Sequence, residues 1–259
     1  MDDLRVAERG AVSTLVLNRP AKRNAITLEM WQALPALLGE LASDSDLRVL
    51  VVRGAGGEAF ASGADISEFE RVRSDRATAR HYSRVVEAAD RALAAFPRPT
   101  IAMIHGFCVG GGLEVALACD LRFADRAATF GITASRLGII YGLTSTRRLA
   151  SIVGPSHARD ILFSGRLVGV EEARAMGLVN MVCEPDALEA QTRAYARSLA
   201  ELAPLSQRGA KLMLQHLLGE GEMTESDLLA FVDQAYDSED YREGVRAFLE
   251  KRRPRFRGR

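Results

Sequence analysis

The sequence predicts an α/β fold followed by an all-helical C-terminal region, and three observations support this prediction. Short apolar runs rich in β-branched residues alternate with segments whose apolar residues recur at helical spacing, which is typical of an α/β architecture. Strand signals stop after residue 188. The 259 residues are 47% hydrophobic, which is enough for one large core or a core with an appendage.

The N-terminal part of the chain predicts a hairpin, a loop and a helix. Residues 4–8 and 12–17 form two strand-like runs around a short turn. The segment "NRPAKRNAIT" follows as a loop that ends in Thr27, a residue type suited to cap a helix. Apolar residues then recur at helical spacing over 28–41, and Pro35 marks a point where this helix can kink.

Two buried strands and a long helix are predicted next. The run "RVLVVRG", 48–54, has the length and the valines of a strand buried on both faces. Residues 55–66 are interpreted as a glycine-rich loop, and residues 75–96 as a long helix ended by "PRP". The run "TIAMIHG", 100–106, predicts the second buried strand.

The stretch "CVGGGLEVALACD", 108–120, predicts a strand, a glycine turn and a helix that begins near Gly111. A further strand follows at 119–125, and a helix broken at Gly154-Pro155 follows at 142–163. The last strand signals lie in 177–188.

The C-terminal part predicts three or four helices between residues 187 and 250, with breaks near Pro204 and at 219–221. We expect a core of residues 1–195 and a helical region of residues 196–259. The last nine residues, "KRRPRFRGR", carry six basic side chains and no acid. They fit either a solvated terminus or a segment that binds phosphate or lines an interface.

Composition and motifs exclude several functions. Lys and Arg together number 34, as do Asp and Glu, so no net charge favours a nucleic acid partner. The spacing of Gly110, Gly112 and Val115 fails the dinucleotide fingerprint, and neither a phosphate-binding GxxxxGK loop nor a GxSxG elbow occurs. The four histidines show no metal-ligand spacing, so no metal site is predicted.

The apolar residues and cysteines indicate a cytoplasmic protein. The apolar stretch 99–119 is interrupted by His105, Glu114 and glycines, which argues against a membrane helix. The charged start "MDDLRVAERG" has no apolar signal region. The three cysteines are odd in number and lie in apolar contexts, so we expect buried free thiols in a reducing compartment.

The sequence "GGGLE" suggests an oxyanion site. A helix N-terminus offers unpaired N–H groups, and glycines let a ligand approach them closely. Glu114 lies three residues after Gly111, so it shares one helix face with that donor. Such a pair suits proton transfer beside an activated carbonyl. Alternatively, the glycines only permit close packing, and Glu114 is a structural carboxylate.

Several motifs in order resemble the crotonase, or enoyl-CoA hydratase/isomerase, superfamily. A second small-residue loop, "FASGADI", could supply a second oxyanion donor, and together with "GGGLEVALACD" it is similar to that family. The segments "NRPAKRNAIT", "RRLASIVGPSHARDILFSG", "EEARAMGLVNMV" and "FLEKRRPRFRG" extend the resemblance over nearly the whole chain.

The resemblance implies a spiral of strand–strand–helix turns whose helical C-terminal region builds a homotrimer or a dimer of trimers. The substrate would be an acyl-CoA thioester, with no other cofactor. The N–H groups of Ala64 and Gly111 would hold the thioester oxygen. The coenzyme A path would be lined by Arg23, Ala25, Ala61, Asp65 and Ile66, and the basic tail would lie near its phosphates.

Two residues depart from the family pattern. Hydratases of the family use two glutamates; one matches Glu114, but alignment of "FG" and "LG" places Ala134 at the second. Tyr141 stands near the position of a tyrosine in a decarboxylase subgroup, although it could simply line the pocket.

Three hypotheses remain from the sequence. The first is hydration or isomerisation of an enoyl-CoA, with Glu114 as acid and base. The second is decarboxylation of a malonyl-type thioester with the help of Tyr141. The third is a non-catalytic acyl-CoA-binding paralogue, with RNA binding, as in some relatives of the family, as one form of this hypothesis.

Overall fold

A computed structural model describes residues 2–259 and contains ten strands and ten α-helices among them. The strands are β1 (Leu4–Ala7), β2 (Val12–Leu17), β3 (Val49–Gly54), β4 (Ala59–Ala61), β5 (Thr100–Ile104), β6 (Phe107–Val109), β7 (Leu121–Asp125), β8 (Thr129–Gly131), β9 (Val168–Gly169) and β10 (Met181–Cys183). The helices are α1 (Leu28–Ser43), α2 (Phe69–Val72), α3 (Arg76–Ala94), α4 (Gly111–Ala118), α5 (Leu143–Ser164), α6 (Val170–Ala175), α7 (Leu188–Ala200), α8 (Pro204–Leu217), α9 (Glu225–Tyr236) and α10 (Glu239–Leu249).

The strands form two sheets that are joined by a repeating turn. The larger sheet has the order β1-β2-β3-β5-β7-β10 and is parallel except for the β1–β2 hairpin. The smaller sheet has the order β4-β6-β8-β9. Successive turns place one strand in each sheet before a helix of the core, as in β3-β4-α3, β5-β6-α4 and β7-β8-α5. The expected spiral of strand–strand–helix turns is therefore confirmed.

Several local expectations are confirmed. Thr27 caps α1 by accepting a hydrogen bond from the amide of Met30 at 3.2 Å. Helix α5 changes direction at Gly154, whose φ of +76° and ψ of 159° are not helical. The three cysteines are free and buried.

The expected loop over residues 55–66 is wrong in part, because it contains β4. The run "AFA" is too short to be distinguished from a loop, and it becomes a strand by pairing with β6, about fifty residues later in the chain. Strands β8 and β9 were missed for the same reason. The strand expected over 100–106 ends at Ile104, since Gly106 has a φ of +55° and turns the chain into the smaller sheet.

The residues after 188 belong to two environments. Helix α7 packs on the larger sheet, where Leu188 and Ala196 join a buried cluster with strand residues such as Val51 and Phe123. Residue 195, the expected boundary, lies inside this helix. Helices α8, α9 and α10 follow and pack on one another. Within residues 2–259, none of the helices combines the length and apolar character needed to cross a bilayer.

The C-terminal helices expose large apolar side chains. Phe248 and Leu249 on α10 are 83% and 74% exposed, and Leu217 at the end of α8 is 79% exposed. Further exposed side chains on these helices are Leu214, Leu229, Tyr236, Tyr241 and Val245. So many uncovered side chains in one region are typical of a protein–protein interface.

Candidate active site

One cavity of about 260 Å³ lies where the first two spiral turns meet the start of α5. Its walls come from the β4–α2 loop, α2, α3, the N-terminus of α4 and the segment before α5. Four exposed apolar side chains stand among its lining residues and give it an apolar mouth: Ile66, Leu137, Ile140 and Leu143. Its polar lining groups include Arg73, Tyr82, Glu87, Glu114, Tyr141 and Ser145.

Two backbone amides meet in this cavity. Gly111 is the first residue of α4, so its N–H has no partner within the helix. A Cβ built on Gly111 would lie 3.4 Å from the amide nitrogen of Ala64, which shows that the two residues are neighbours. Neither N–H donates a hydrogen bond to an acceptor within residues 2–259. The site therefore has two adjacent free donors.

The loop that carries Ala64 is fixed by a second loop beside it. The amide of Ile26 donates to the carbonyl of Gly63 at 2.8 Å, and the amide of Asp65 donates to the carbonyl of Ile26 at 2.9 Å. In this strand-like segment the carbonyl of Gly63 and the amide of Asp65 face Ile26, so the N–H of Ala64 lies on the opposite side. Loop geometry thus holds a backbone donor in place without a side chain.

The glycines before α4 have two separate structural roles. Gly110 has a φ of +53° and makes the turn from β6 into the helix. A Cβ on Gly112 would lie 2.3 Å from the carbonyl oxygen of Ala61, so only glycine lets α4 approach β4 so closely. The packing role considered from the sequence is therefore real, and it brings the free N–H of Gly111 to the cavity.

Glu114 lines the same cavity one turn further along α4. Its Oε1 accepts a short hydrogen bond from the hydroxyl of Ser145, the third residue of α5. Burial raises the pKa of Glu114 to about 7, because the charged carboxylate loses hydration, while the bond from Ser145 acts in the opposite direction. Near neutral pH this carboxyl group can both accept and release a proton.

A buried ion network lies behind Glu114. The guanidinium of Arg148 on α5 donates to Asp90 on α3 at 2.6 Å and lies 3.3 Å from Glu220. Burial has the largest effect on the pKa of Glu114, and the hydrogen bond from Ser145 has the next largest. Of the smaller effects, the negative charge of Asp90 raises this pKa and the positive charge of Arg148 lowers it. The network ties α3 and α5 together and fixes the surroundings of the carboxylate.

Ala134 and Tyr141, the two residues that the sequence resemblance singles out, both line this cavity. Ala134 begins the short helical turn after β8 and presents only a methyl group. The hydroxyl of Tyr141 is buried and has no hydrogen-bond partner within the described chain. Burial, and then the charge of Glu114, raise the pKa of Tyr141 above its usual value, so the phenol stays protonated.

The residues expected on the coenzyme A path are only partly brought together. Ile66 is exposed and lines the cavity. Arg23 is exposed and ion-paired with Glu58 at 2.5 Å. The other three residues have different contacts. Ala61 is fully buried against Gly112. The carbonyl of Ala25 accepts a hydrogen bond from Arg19, and the carboxylate of Asp65 accepts hydrogen bonds from Arg19 and Ser67.

The basic tail folds back onto α10 instead of extending into solvent. The amides of Arg257 and Gly258 donate to Asp240 at 2.6 and 2.7 Å, and Arg252 pairs with Glu243 at 2.6 Å. Arg253 remains 93% exposed. The tail is therefore anchored to acidic residues of α10, while most of its residues remain exposed to solvent.

Several cavity residues were not singled out by the sequence. Ser145 lies in the polar start of a helix, where serine is common because its hydroxyl can cap the helix, so its position did not indicate a functional role. Glu87 on α3 and Arg73 after α2 lie in charged segments that read as solvated surface. Helical spacing does place Tyr82 near Val86 on one face of α3, but nothing local indicates what that face contacts.

Comparison with known proteins identifies the family of the chain. The profile of the Enoyl-CoA hydratase/isomerase family matches residues 7–259. The chain belongs to the enoyl-CoA hydratase/isomerase family. It is 36% identical to an (E)-benzylidenesuccinyl-CoA hydratase of Thauera aromatica, over 95% of this chain and 96% of the relative. It is 31% identical to a short-chain-enoyl-CoA hydratase of Clostridium acetobutylicum, over 98% of this chain and 97% of the relative.

Solved structures extend the similarity to the whole fold. An enoyl-CoA hydratase/carnithine racemase from Magnetospirillum magneticum superimposes with a TM-score of 0.93 at 37% identity. The match covers 100% of this chain and 97% of that one. The protein therefore has the crotonase fold, as its sequence motifs implied.

Proposed function

We propose that this family member is an acyl-CoA enzyme that hydrates or isomerises an enoyl-CoA through a thioester enolate. The observation that carries the proposal is the convergence of the free N–H groups of Ala64 and Gly111 with the carboxyl group of Glu114 in one cavity. Two relatives are hydratases of CoA thioesters by name, which supports hydration in particular. The reaction needs no cofactor beyond the thioester itself.

In the proposed hydration, the thioester oxygen accepts hydrogen bonds from the amides of Ala64 and Gly111. The Glu114 carboxylate takes a proton from water as the water oxygen bonds to the β-carbon. The electron pair of the double bond moves toward the thioester, and the resulting enolate oxygen is held by the two amides. Glu114 then returns the proton to the α-carbon, which re-forms the thioester carbonyl.

A single carboxyl group can perform both proton transfers because its pKa lies near 7. Ala134 leaves no carboxylate at the position where the family's second glutamate is expected. In the isomerisation variant, Glu114 removes one proton beside the double bond and returns it at another carbon. Both variants use the same enolate and the same two amides.

Decarboxylation of a malonyl-type thioester is the second candidate, and the buried hydroxyl of Tyr141 favours it. In this reaction the bond to the departing carboxylate breaks, carbon dioxide leaves, and the electron pair forms the enolate without a base. The protonated phenol of Tyr141 could orient the carboxylate or donate the proton that quenches the enolate.

Incubation with a panel of enoyl-, hydroxyacyl- and malonyl-type CoA thioesters, read by mass spectrometry, tests the proposal. Hydration adds the mass of water, isomerisation shifts the double bond without a mass change, and decarboxylation removes carbon dioxide. Binding of these thioesters without turnover of any of them would favour the non-catalytic paralogue and contradict both reactions.

The rate should depend on the protonation of Glu114. Because the hydration step begins with the carboxylate, kcat/KM is expected to rise with pH through about 7 and to level off above it. Ser145→Ala removes a hydrogen bond that lowers the pKa of Glu114. The rise of kcat/KM with pH should therefore move to higher pH. A pH–rate profile of both proteins measures this shift.

Thr144 provides the matched control for that shift. Its hydroxyl is adjacent in sequence but donates to Glu87 at 3.0 Å, so Thr144→Ala should leave the pH limb in place. An unchanged limb in Ser145→Ala would show that the Ser145 hydroxyl does not tune the carboxyl group.

The exposed apolar helices predict self-association. We propose a homotrimer or a dimer of trimers, in which side chains such as Leu217 and Phe248 are covered by neighbouring subunits. Light scattering at micromolar concentration should give three or six times the 28.2 kDa chain mass. A stable monomer would contradict the prediction, and Phe248→Asp should weaken the assembly.

A further inference from the structure

Arg73 is a cation in the cavity that lacks an anionic partner. It follows α2 directly and lines the cavity together with Glu114. Its Nε is buried and has no hydrogen-bond partner within residues 2–259, and none of the ion pairs of that part of the chain includes it. An arginine stays charged at any physiological pH, so this position holds a positive charge that lowers the pKa of Glu114 but forms no ion pair.

The two fully buried arginines are engaged by acceptors, whereas Arg73 is half-buried and belongs to no ion pair. Arg148 pairs with Asp90 and Glu220, and Arg122 donates to the carbonyls of Leu178 and Cys119 at 2.8 Å. Burial of a charge is costly unless hydrogen bonds or an opposite charge compensate for it. The fold therefore engages its two fully buried guanidinium groups and leaves the half-buried guanidinium of Arg73 without an ion pair.

Two aromatic rings hold the Arg73 guanidinium in place. Its Cζ lies 4.3 Å from the ring centroid of Phe69 and 4.1 Å from that of Tyr82. Such contacts stabilise a cation through its flat face and do not use its N–H groups. The Nε atom is covered, so a carboxylate would bind through the two terminal Nη groups, which can donate two parallel hydrogen bonds.

Further unpaired polar atoms line the same cavity. Within the described chain, seven buried side-chain polar atoms have no partner, and three of them belong to cavity residues: Trp31 Nε1, Arg73 Nε and Tyr141 Oη. All three can donate a hydrogen bond. Buried polar groups without partners are rare in folded proteins, so the wall of this cavity is unusual in its unpaired donors.

We propose that Arg73 binds a carboxylate at the far end of the acyl chain, so that the substrate is the mono-CoA thioester of a dicarboxylic acid. This inference rests on the proposed function, because it assumes that the thioester lies at Ala64 and Gly111. The loop 23–26, beside which the coenzyme A moiety is expected, borders Ala64, whereas Arg73 packs on Phe69 and Tyr82 of α2 and α3. The acyl chain is therefore the part of the ligand that reaches the guanidinium.

Binding of unreactive saturated thioesters tests this proposal without catalysis. Glutaryl-CoA and hexanoyl-CoA have acyl chains of similar size, but only the first ends in a carboxylate. By calorimetry, the wild-type protein is expected to bind glutaryl-CoA about 10- to 100-fold more tightly, the usual value of a charge-assisted hydrogen bond. If the wild-type protein binds glutaryl-CoA no more tightly than hexanoyl-CoA, the proposal is wrong, and no variant is needed to show it.

Substitutions at Arg73 assign the preference to this side chain. Arg73→Met keeps much of the volume and should abolish the preference, whereas Arg73→Lys should retain part of it. Arg71→Met is the matched control, since Arg71 is exposed and pairs with Glu68 outside the cavity. If Arg73→Met weakens glutaryl-CoA, hexanoyl-CoA and free coenzyme A equally, Arg73 contacts coenzyme A itself and the proposal is wrong.

Turnover separates this inference from the proposed function. Hydration of crotonyl-CoA at a rate equal to that of glutaconyl-CoA, together with equal binding of the saturated pair, would leave the hydratase in place and overturn the role of Arg73. Tight, Arg73-dependent binding of glutaryl-CoA without hydration of any enoyl-CoA would support the role of Arg73 and contradict the proposed reaction.

Discussion

Glu114→Gln is expected to lower enoyl-CoA turnover by about 10²- to 10⁴-fold, the usual contribution of a general acid–base group. Glutamine keeps the shape of the side chain and can still accept the hydrogen bond from Ser145. It cannot take a proton from water or return one to the α-carbon. The loss should appear in kcat, measured with the enoyl-CoA that the panel identifies, while acyl-CoA binding changes little.

Glu87 offers a matched comparison within the same cavity. Its Oε1 already accepts hydrogen bonds from Arg91 at 2.8 Å and Thr144 at 3.0 Å, and its side chain is 43% exposed. Glu87→Gln is therefore expected to lower turnover by less than about tenfold, well under the loss assigned to a general base. A larger loss of turnover in Glu87→Gln than in Glu114→Gln would assign the proton transfers to Glu87.

Stability supplies a control for folding of the Glu114 variant. The pKa of Glu114 is about 7 in the folded protein, against 4.5 for the free side chain. Because the folded state binds the proton more tightly, the carboxyl group costs no stability below pH 4.5. Its cost develops up to pH 7 and is complete above it. Glu114→Gln should therefore unfold at a higher urea concentration than wild type at pH 8, and the difference should shrink at pH 5.

The decarboxylase alternative predicts the opposite pattern. Carbon dioxide loss needs no base, so Glu114→Gln would matter little and Tyr141→Phe would matter more. Near-wild-type turnover of an enoyl-CoA by Glu114→Gln would show that this residue is a structural carboxylate. The chemistry assigned to the helix that begins at Gly111 would then be wrong.

Gly111→Pro is expected to lower kcat by about 10²- to 10³-fold, because proline removes one of the two oxyanion donors. Gly111 occupies the first position of α4, where proline is the best tolerated residue in a helix. The backbone should therefore keep its course. Acyl-CoA affinity, measured by calorimetry, should fall far less than kcat, since the enolate depends on the donor more than the ground-state thioester does.

Gly111→Ala separates the lost donor from the added bulk. Alanine retains the N–H, but its Cβ would lie 3.2 Å from Trp31 Cζ2 and 3.4 Å from the amide nitrogen of Ala64. This crowding acts on both variants, so the ratio of their kcat values isolates the hydrogen bond. If the two variants lose equal activity, crowding explains the effect and the N–H of Gly111 is not an oxyanion donor.

The raised pKa of Glu114 illustrates a conflict between stability and activity. A carboxyl group that is half protonated near pH 7 is useful for moving protons, but its burial costs folding free energy. The bond from Ser145 and the nearby Arg148 limit this cost without removing it. The protein therefore keeps a destabilising group at the position where the proposed reaction needs it.

The sequence by itself determined the long elements and one half of the candidate site. Helical spacing and β-branched runs predicted α1, α3, α5 and the strands of the larger sheet, because these elements bury faces with a regular period. The glycines before Glu114 predicted a helix start with free donors, since their effect is local to the backbone. The absence of a carboxylate at Ala134 was also visible in the sequence alone.

Only the tertiary structure decided what surrounds that helix start. Strands as short as β4 and β8 exist through pairing with distant segments, and no local pattern encodes such pairing. In the sequence, Ser145 and Arg73 look like ordinary polar residues. The spiral packs α5 on α4 and places Arg73 in the wall of the same cavity as Glu114. Burial is a property of the assembled fold, and burial is what raises the pKa of Glu114.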